Sequence, residues 1–331
     1  MAETANIAKM AETLSKELFG AFGWQQTGPM NSNWTCHNKK EHGVQTHPAD
    51  AVWYYDEPYS NLRTYILADL KSYGVASITP NKVQEAIVSM SKAMVCAESS
   101  DEWKQRFLVD TARSSQINGL LFIYNHDGEY DKDFGQLLKG VAAADVRFIP
   151  QNRNLIVLGP KDICELNAIV THIKTLGASG RIQNELQTSF FFPELKLKKR
   201  TLPEGDPWNN AAPLPYLLSK IISLKARKKG SNSPYDDLHI YYRGVGKTVE
   251  EFLHLIDYVF WFQQIQTASD SILIHFVSLE SVPEAASLFE RARNEYREVK
   301  ELKREQLGKI RFESVQNVAP RYSEIELGME L

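Results

Sequence analysis

The spacing of apolar residues in the first half of the chain alternates between helix and strand patterns. Residues 5–22 carry apolar side chains at three- and four-residue intervals, which predicts an amphipathic helix. Two strand-like runs follow at Ala51–Asp56 and Arg63–Lys71, and a turn segment that contains Pro and Asn separates them. Thr79-Pro80 is typical of a helix start. Ile117–Asn125 is an apolar run of buried-strand length, so this half predicts an α/β fold.

A segment rich in Pro and Gly, from Ala178 to Pro215, is the best candidate for a domain boundary. We therefore predict one domain over residues 1–178 and a second over residues 179–331, since 331 residues suit two cores better than one. The second half predicts these elements in order: a helix at Leu214–Arg227, a strand at Leu238–Tyr242, a helix at Val249–Gln266, a strand at Ser271–Ser278 and a helix at Val282–Gln306. It is thus a second α/β domain, expected to serve target recognition, partner binding or homo-oligomerisation.

Composition and charge add constraints on location and partners. The N-terminal helix carries acidic residues among its apolar ones, unlike a signal peptide, and the chain has no run of about 18 apolar residues. We therefore expect a cytoplasmic protein that makes no membrane contact. The formal net charge of −3 is not that of a generally basic nucleic-acid binder, so DNA contact would need a local basic surface. The runs Lys196–Arg200 and Lys225–Lys229 are candidates for it, although such runs are more often solvated surface.

The cysteines and histidines do not form a standard metal-binding spacing. The three cysteines are odd in number, widely separated and without a CxxC pair: Cys36, Cys96 and Cys164. Three histidines fall in the loop before Asp50, where most histidines are surface residues: His37, His42 and His47. His47 is close enough in sequence to line a site at Asp50. The sequence therefore predicts reduced thiols and neither a disulfide framework nor a cysteine metal site.

The two strand-like runs bring three charged residues together if they form an antiparallel hairpin. With Asp56 and Arg63 closing the loop, paired residue numbers sum to 119, and Asp50 lies opposite Asp69. Opposed residues share a face of the sheet with Cβ atoms about 4.5–5.5 Å apart. Lys71 follows two residues later on the same face. A turn one residue longer or shorter would offset the acids, so the register is a testable prediction.

Two carboxylates and a lysine at one end of a buried hairpin suit metal-assisted hydrolysis. Carboxylate oxygens, backbone carbonyls and water are ligands for Mg2+ or Mn2+. Such an ion polarises a phosphodiester and lowers the pKa of the attacking water. The lysine can orient or deprotonate that water and stabilise developing charge. Leu70, between Asp69 and Lys71, points to the opposite face and into the core.

Pro48-Ala49-Asp50, the hairpin and Asp69-Leu70-Lys71 resemble the signature of PD-(D/E)xK, or restriction-endonuclease-like, nucleases. The order helix, hairpin, helix, strand over about residues 5–125 is similar to that fold, a mixed central sheet flanked by helices. The resemblance implies Mg2+- or Mn2+-dependent hydrolysis of DNA, with RNA as the alternative, and is closest to bacterial antiphage-defence nucleases. It also implies a glutamate from the first helix as a third metal ligand, for which we choose Glu17, with Glu12 as the alternate. Gln84 is a candidate for the glutamine that a RecB-like subset carries.

Alternatives to this assignment remain open in the sequence. The acid-x-Lys pattern recurs at Glu194–Lys196, Glu298–Lys300 and Glu301–Lys303, the last two within a predicted helix. Asp69 and Lys71 could also form a simple salt bridge on an inactive, nuclease-like scaffold that binds a protein or nucleic acid.

A nucleotide-binding loop is a third hypothesis. Gly244–Thr248 resembles the end of a phosphate-binding P-loop, but Tyr241 stands where that motif needs glycine. Thr248 followed by Glu251 also forms a capping box for the next helix, which is the reading we favour.

Overall fold

A computed structural model describes most of the chain as two compact units, one ending at Ile163 and the other beginning at Cys164. The described residues are 2–141, 152–182, 188–191, 211–226, 229, 237–261, 271–279, 282–299 and 307–315. Over these ranges, no helix is long and apolar enough to cross a membrane. The division falls inside a helix, α6, while the domain boundary after residue 178 stays a prediction.

The first unit is built on a five-stranded mixed sheet. Its strands are β1 (Gln25–Thr27), β4 (Ala51–Asp56), β5 (Arg63–Tyr73), β6 (Ser115–Asn125) and β7 (Leu155–Leu158), and they lie side by side in that order. Its helices are α1 (Ala2–Ala21), α2 (Lys39–His42), α3 (Pro80–Ser99), α4 (Asp101–Phe107) and α5 (Phe134–Gly140), and α6 (Pro160–Ala178) follows β7. A separate antiparallel pair is formed by β2 (Ser32–Thr35) and β3 (Thr46–Ala49). In the main sheet, β1, β4 and β5 pair antiparallel, whereas β5, β6 and β7 pair parallel.

Helices cover both faces of this sheet. Phe19 of α1 packs edge-on against Trp53 of β4 and Phe122 of β6. On the opposite face, Val83 and Ile87 of α3 belong to the same apolar cluster as Leu121 and Ile123 of β6. Every residue of β4 is buried, as expected of a strand in the middle of a covered sheet. The predicted sandwich of a mixed sheet between helices is confirmed.

The pairing of β4 with β5 has the predicted register. Ala51 lies opposite Ala68 and Asp56 opposite Arg63, so the residue numbers of each pair sum to 119. Because side chains alternate between faces, Leu70 lies on the face that α1 covers. Asp69 and Lys71 lie on the face that α3 covers, where their partners on β6 are Leu121 and Ile123.

The second unit contains another five-stranded mixed sheet. Its strands lie in the order β12 (Ile310–Ser314), β11 (Ile272–Phe276), β10 (Asp237–Tyr242), β9 (Ile221–Ala226) and β8 (Ser189–Phe191). Its helices are α7 (Val249–Trp261) and α8 (Ala285–Val299), and α6 contributes the buried Glu165, which accepts a hydrogen bond from Arg243. A second α/β region is therefore confirmed.

The predicted helix at Leu214–Arg227 is wrong. Leu214–Leu218 form a short 3-10 turn, and Ile221–Ala226 form strand β9 between β8 and β10. Ile221 and Ile222 are β-branched and favour a strand. The two neighbouring strands satisfy the backbone of β9, which outweighs the helix-like apolar spacing of the segment.

A buried ion group closes the β4–β5 hairpin and gives a stability prediction. Asp56 accepts hydrogen bonds from Arg63 at 2.9 Å and from Arg113 at 2.7 Å. Asp56→Asn leaves these guanidinium groups without their counter-charge, so we expect a loss of about 3–5 kcal/mol in the free energy of unfolding. Denaturant unfolding monitored by circular dichroism measures it. The matched control is Glu98→Gln, which removes the half-buried partner of Arg153 and should cost less than about 1 kcal/mol. Equal losses in both variants would contradict the prediction.

Candidate active site

The hairpin brings together Asp50, Asp69 and Lys71, as its register requires. Asp50 immediately precedes β4, and its Oδ2 accepts a hydrogen bond of 2.8 Å from the backbone N–H of Leu70. Asp69 is 8% exposed, and the Lys71 ammonium lies 2.6 Å from its Oδ1. Two acids and one ammonium therefore share one face of the sheet. They lie near the C-terminal end of β5, where the strand changes from buried to half-buried residues.

Burial and charge act against each other at this group. Burial raises the pKa of Asp69 to about 6, with Lys71 opposing the rise and the neighbouring Asp50 adding to it. Burial lowers the pKa of Lys71, but the attraction of Asp69 and Asp50 outweighs it and leaves that pKa above its ordinary value. Lys71 thus stays protonated. The buried carboxylate of Asp69, by contrast, has too little positive charge nearby to offset its desolvation.

This donor set fits a divalent cation of the oxygen-binding kind. Asp50 and Asp69 offer carboxylate oxygens on one side, and the raised pKa of Asp69 means that a further cation would stabilise its ionised form. The three-residue group therefore has the chemistry expected of a Mg2+ or Mn2+ site.

The two candidate glutamates of α1 lie in different surroundings. Glu12 accepts a hydrogen bond of 2.8 Å from the side chain of Asn31, whose backbone N–H donates to the carbonyl of Asp50 at 3.0 Å. Glu17 is exposed. Five residues correspond to about 140° around a helix, so the two carboxylates point in different directions. The structure links Glu12 to the Asp50 segment through Asn31, and the choice of Glu17 stays a prediction.

A cleft of about 540 Å³ opens between β3 and the first half of α3. Pro48, Gln84 and Glu85 line it, so Gln84 faces a cavity that borders the Pro48-Ala49-Asp50 segment. The described lining does not include Asp50, Asp69 or Lys71. The role of Gln84 stays a prediction, and the cleft is a space through which a substrate could approach this segment.

The expectation that the histidines before Asp50 lie at the surface is wrong for His42 and His47. Cys36, His42, His47 and Cys96 are all buried, and their ligand atoms lie within 4.8 Å of one another. A search for CxxC or HxxxH misses them because Cys96 comes from a distant helix. The usable signal is the proximity in sequence of Cys36, His42 and His47.

The P-loop hypothesis fails on local hydrogen bonding, and the helix-cap reading is confirmed. Thr248 Oγ1 accepts from the backbone N–H of Glu251 at the start of α7. The Glu251 carboxylate in turn accepts from the backbone N–H groups of Gly246 and Lys247 and from the Tyr242 hydroxyl. An internal anion therefore occupies the amides that a P-loop would offer to phosphate.

The other acid-x-Lys triplets and basic runs gain no support as sites. Glu194–Lys196 and the basic run Lys196–Arg200 lie outside the described residues. Glu298 is exposed near the end of α8, as expected of a solvated helix face. Of the run Lys225–Lys229, only residues 225, 226 and 229 are described, and Lys225 is an exposed residue of β9.

Asp69 gives a pH-dependent stability prediction in the absence of divalent metal. Its folded-state pKa is raised from 3.8 to about 6, so its ionisation destabilises the fold increasingly from pH 3.8 to pH 6 and fully above that. In chelator at pH 7.5, we expect Asp69→Asn, which resembles the protonated wild type, to raise the free energy of unfolding by about 1–3 kcal/mol. The gain should fall to roughly a third at pH 4.5, where the folded-state carboxyl is protonated and the unfolded-state carboxyl is still largely ionised. Denaturant titrations at both values measure it, and a destabilised variant at pH 7.5 would contradict the burial argument.

Comparison with known proteins agrees with this core. Residues 1–162 match the family described as GAPS4 protein PD-(D/E)XK nuclease domain. Among curated proteins, none matches the chain. The matched range contains the mixed sheet, its flanking helices, and the segment from Pro48 to Lys71 that carries the signature. The N-terminal half of this chain therefore carries a PD-(D/E)XK nuclease domain that is similar to the nuclease domain of GAPS4 proteins.

Proposed function

We propose that the protein is a divalent-metal-dependent endonuclease that hydrolyses DNA phosphodiester bonds, and that it acts as an effector in antiphage defence. The observation that carries this proposal is the convergence of Asp50, Asp69 and Lys71 on one face of the β4–β5 hairpin. The family match supports a nuclease and its link to defence, while the choice of DNA over RNA rests on the superfamily resemblance.

Each residue has a separate role in the proposed site. Asp50 and Asp69 hold Mg2+ or Mn2+ through their carboxylate oxygens. When bound, the ion supplies a polarised phosphodiester and an attacking water of lowered pKa. Lys71 keeps its proton because its pKa is raised, so it acts as a donor that orients the water and stabilises charge on the phosphate. The raised pKa of Lys71 therefore favours the role of proton donor over that of general base.

A third carboxylate from α1 completes the proposed ligand set. Glu17 is the choice made from sequence, and Glu12 is the alternate. Asn31 connects Glu12 to the backbone of Asp50, since its side chain donates to the Glu12 carboxylate and its backbone N–H donates to the Asp50 carbonyl. That contact favours Glu12 as the residue that acts with Asp50.

An inactive scaffold is the second candidate, and one observation favours it. The ion pair between Lys71 and Asp69 is already satisfied at 2.6 Å, as a purely structural salt bridge would be. In that case the domain would bind a protein or nucleic acid without cutting it. In either case, we assign target recognition, partner binding or oligomerisation to the second unit.

Cleavage assays distinguish the two candidates. The purified protein is incubated with plasmid DNA and with structured RNA, in Mg2+, in Mn2+ and in chelator. We expect cleavage of DNA only with metal, no cleavage by Asp69→Asn, and a loss of about 10²–10³-fold for Lys71→Met, because a preorganised charge is removed. Glu298→Gln, which changes the acid of another acid-x-Lys triplet at an exposed position near the end of α8, is the matched control and should keep full activity.

Unimpaired cleavage by Asp69→Asn would overturn the site. Metal-independent cleavage would overturn the metal mechanism, and cleavage of RNA alone would overturn the choice of substrate. If the wild type cuts neither nucleic acid under any condition but binds DNA, the scaffold is supported instead.

The two helix glutamates give a paired prediction. If Glu12 is the residue that acts with Asp50, Glu12→Gln should weaken metal dependence, so that half-maximal activity needs at least about tenfold more Mg2+, whereas Glu17→Gln should resemble the wild type. The measurement is initial rate against Mg2+ concentration for both variants. The reverse pattern would establish Glu17 as the ligand, and no effect in either variant would exclude α1 from the site.

A further inference from the structure

Four metal-ligating side chains from four separate segments meet in the first unit. Cys36 directly follows β2, His42 is the last residue of α2, and His47 lies in β3. Cys96 reaches the same point from α3. The group is fully enclosed, since these residues are 1%, 3%, 2% and 0% exposed in chain order. We call it the Cys2His2 cluster.

Four of the six distances between the ligand atoms match a tetrahedron around one ion, and all four atoms lie within 4.8 Å of one another. Cys36 Sγ lies 3.7 Å from Cys96 Sγ, and His42 Nδ1 lies 3.5 Å from Cys36 Sγ and 3.4 Å from Cys96 Sγ. His42 Nδ1 also lies 3.5 Å from His47 Nε2. With Zn–S of about 2.3 Å and Zn–N of about 2.0–2.1 Å, tetrahedral angles give about 3.8 Å for S···S, about 3.5 Å for S···N and about 3.3 Å for N···N. The observed distances agree with all three values to within about 0.2 Å.

We propose that the Cys2His2 cluster binds one structural Zn2+ ion. Two soft sulfur ligands with two imidazoles in a tetrahedron select zinc over the hard, oxygen-preferring Mg2+. Four protein ligands leave no open coordination position, so the ion holds the fold and does not activate water. The proposal is independent of whether the site formed by Asp50, Asp69 and Lys71 cuts nucleic acid.

The protonation states of the ligands are compatible with this role. Burial lowers the pKa of His42, and it lowers the pKa of His47 to about 4, so both rings are neutral and keep a lone pair for a metal. Burial raises the pKa of the Cys36 thiol, and a zinc ion reverses that by displacing the proton.

The position of the cluster couples it to the candidate active site. The ion would fasten the β2–β3 pair to α3, from which Lys92 also donates a hydrogen bond of 3.0 Å to the His42 carbonyl. His47 lies three residues before Asp50, in the strand that leads directly to it. His47 also lines the cleft between β3 and α3, which offers the ion a path in. Zinc would therefore fix the segment that carries the first carboxylate.

The first test is made on the wild-type full chain. After gel filtration in metal-free buffer, elemental analysis by mass spectrometry should find one zinc per chain. X-ray absorption should show two sulfur ligands at about 2.3 Å and two nitrogen ligands at about 2.0 Å. The cobalt-substituted protein should show thiolate-to-cobalt charge transfer and the visible bands of tetrahedral Co2+. Zinc-free protein that also fails to take up Zn2+ or Co2+ would overturn the proposal.

Variants then assign the ligands. Cys36→Ser and Cys96→Ser should each lose most of the zinc and melt at a lower temperature. Cys164→Ser, which changes the cysteine outside the cluster, should keep one zinc and the wild-type melting temperature. His42→Cys keeps four ligands and adds a thiolate, so it should retain metal and strengthen the charge-transfer band of the cobalt form. This variant keeps the test decisive if the serine variants fail to fold.

Three results would reject the cluster as a zinc site. Full zinc content in both serine variants would place the ion elsewhere. A Cys36–Cys96 disulfide in the natively purified protein, found by peptide mass mapping, would replace the metal with a covalent bond. The Asp69→Asn variant should keep its zinc, because the substitution alters only the site formed by Asp50, Asp69 and Lys71. Loss of zinc in this variant would show that the ion is bound by Asp50 and Asp69.

Discussion

The register between β4 and β5 is the constraint on which the candidate site depends. Side chains alternate along a strand with a period of two, so a slip by one residue would exchange the two faces of β5. Asp69 and Lys71 would then turn towards α1, and Leu70 would face α3. The apolar side chains of Trp53 and Phe122, packed on Phe19, oppose such a slip because it would expose or misplace them. The core thereby fixes which acids meet.

The same burial that fixes the register also gives the site an affinity for cations. A carboxylate in an apolar sheet is unstable when ionised, and Asp69 shows this in a pKa raised to about 6. Lys71 compensates only part of this destabilisation, because the desolvation of Asp69 is the larger effect and the neighbouring Asp50 adds to it. A bound divalent ion would offset the destabilisation that remains. In the absence of metal, the ionised Asp69 therefore lowers the stability of the fold at the position where the proposed chemistry needs positive charge.

The sequence predicts the hairpin and its acids well because the deciding interactions are local. Asp50 and Asp69 are joined by one turn of fixed length, and apolar alternation on both sides identifies two buried strands. The Cys2His2 cluster is not predictable in the same way, since Cys96 meets Cys36 only after α3 has packed on the sheet. The strand Ile221–Ala226 lies within a predicted helix for a related reason. The strands that pair with it come from separate segments, so its local sequence does not reveal them.

Assembly of the site thus requires both contacts between residues close in sequence and contacts between distant segments. The hairpin sets Asp69 and Lys71 by local pairing, whereas Asp50 lies at a junction between the main sheet and the β2–β3 hairpin. Three interactions hold that junction: the Leu70 N–H on its carboxylate, Asn31 on its carbonyl, and the cluster beyond His47. Since two of the three depend on elements outside the β4–β5 hairpin, Asp50 reaches its position only when the whole unit has folded. A partly folded chain would carry Asp69 and Lys71 without their partner acid, and would lack a complete metal site.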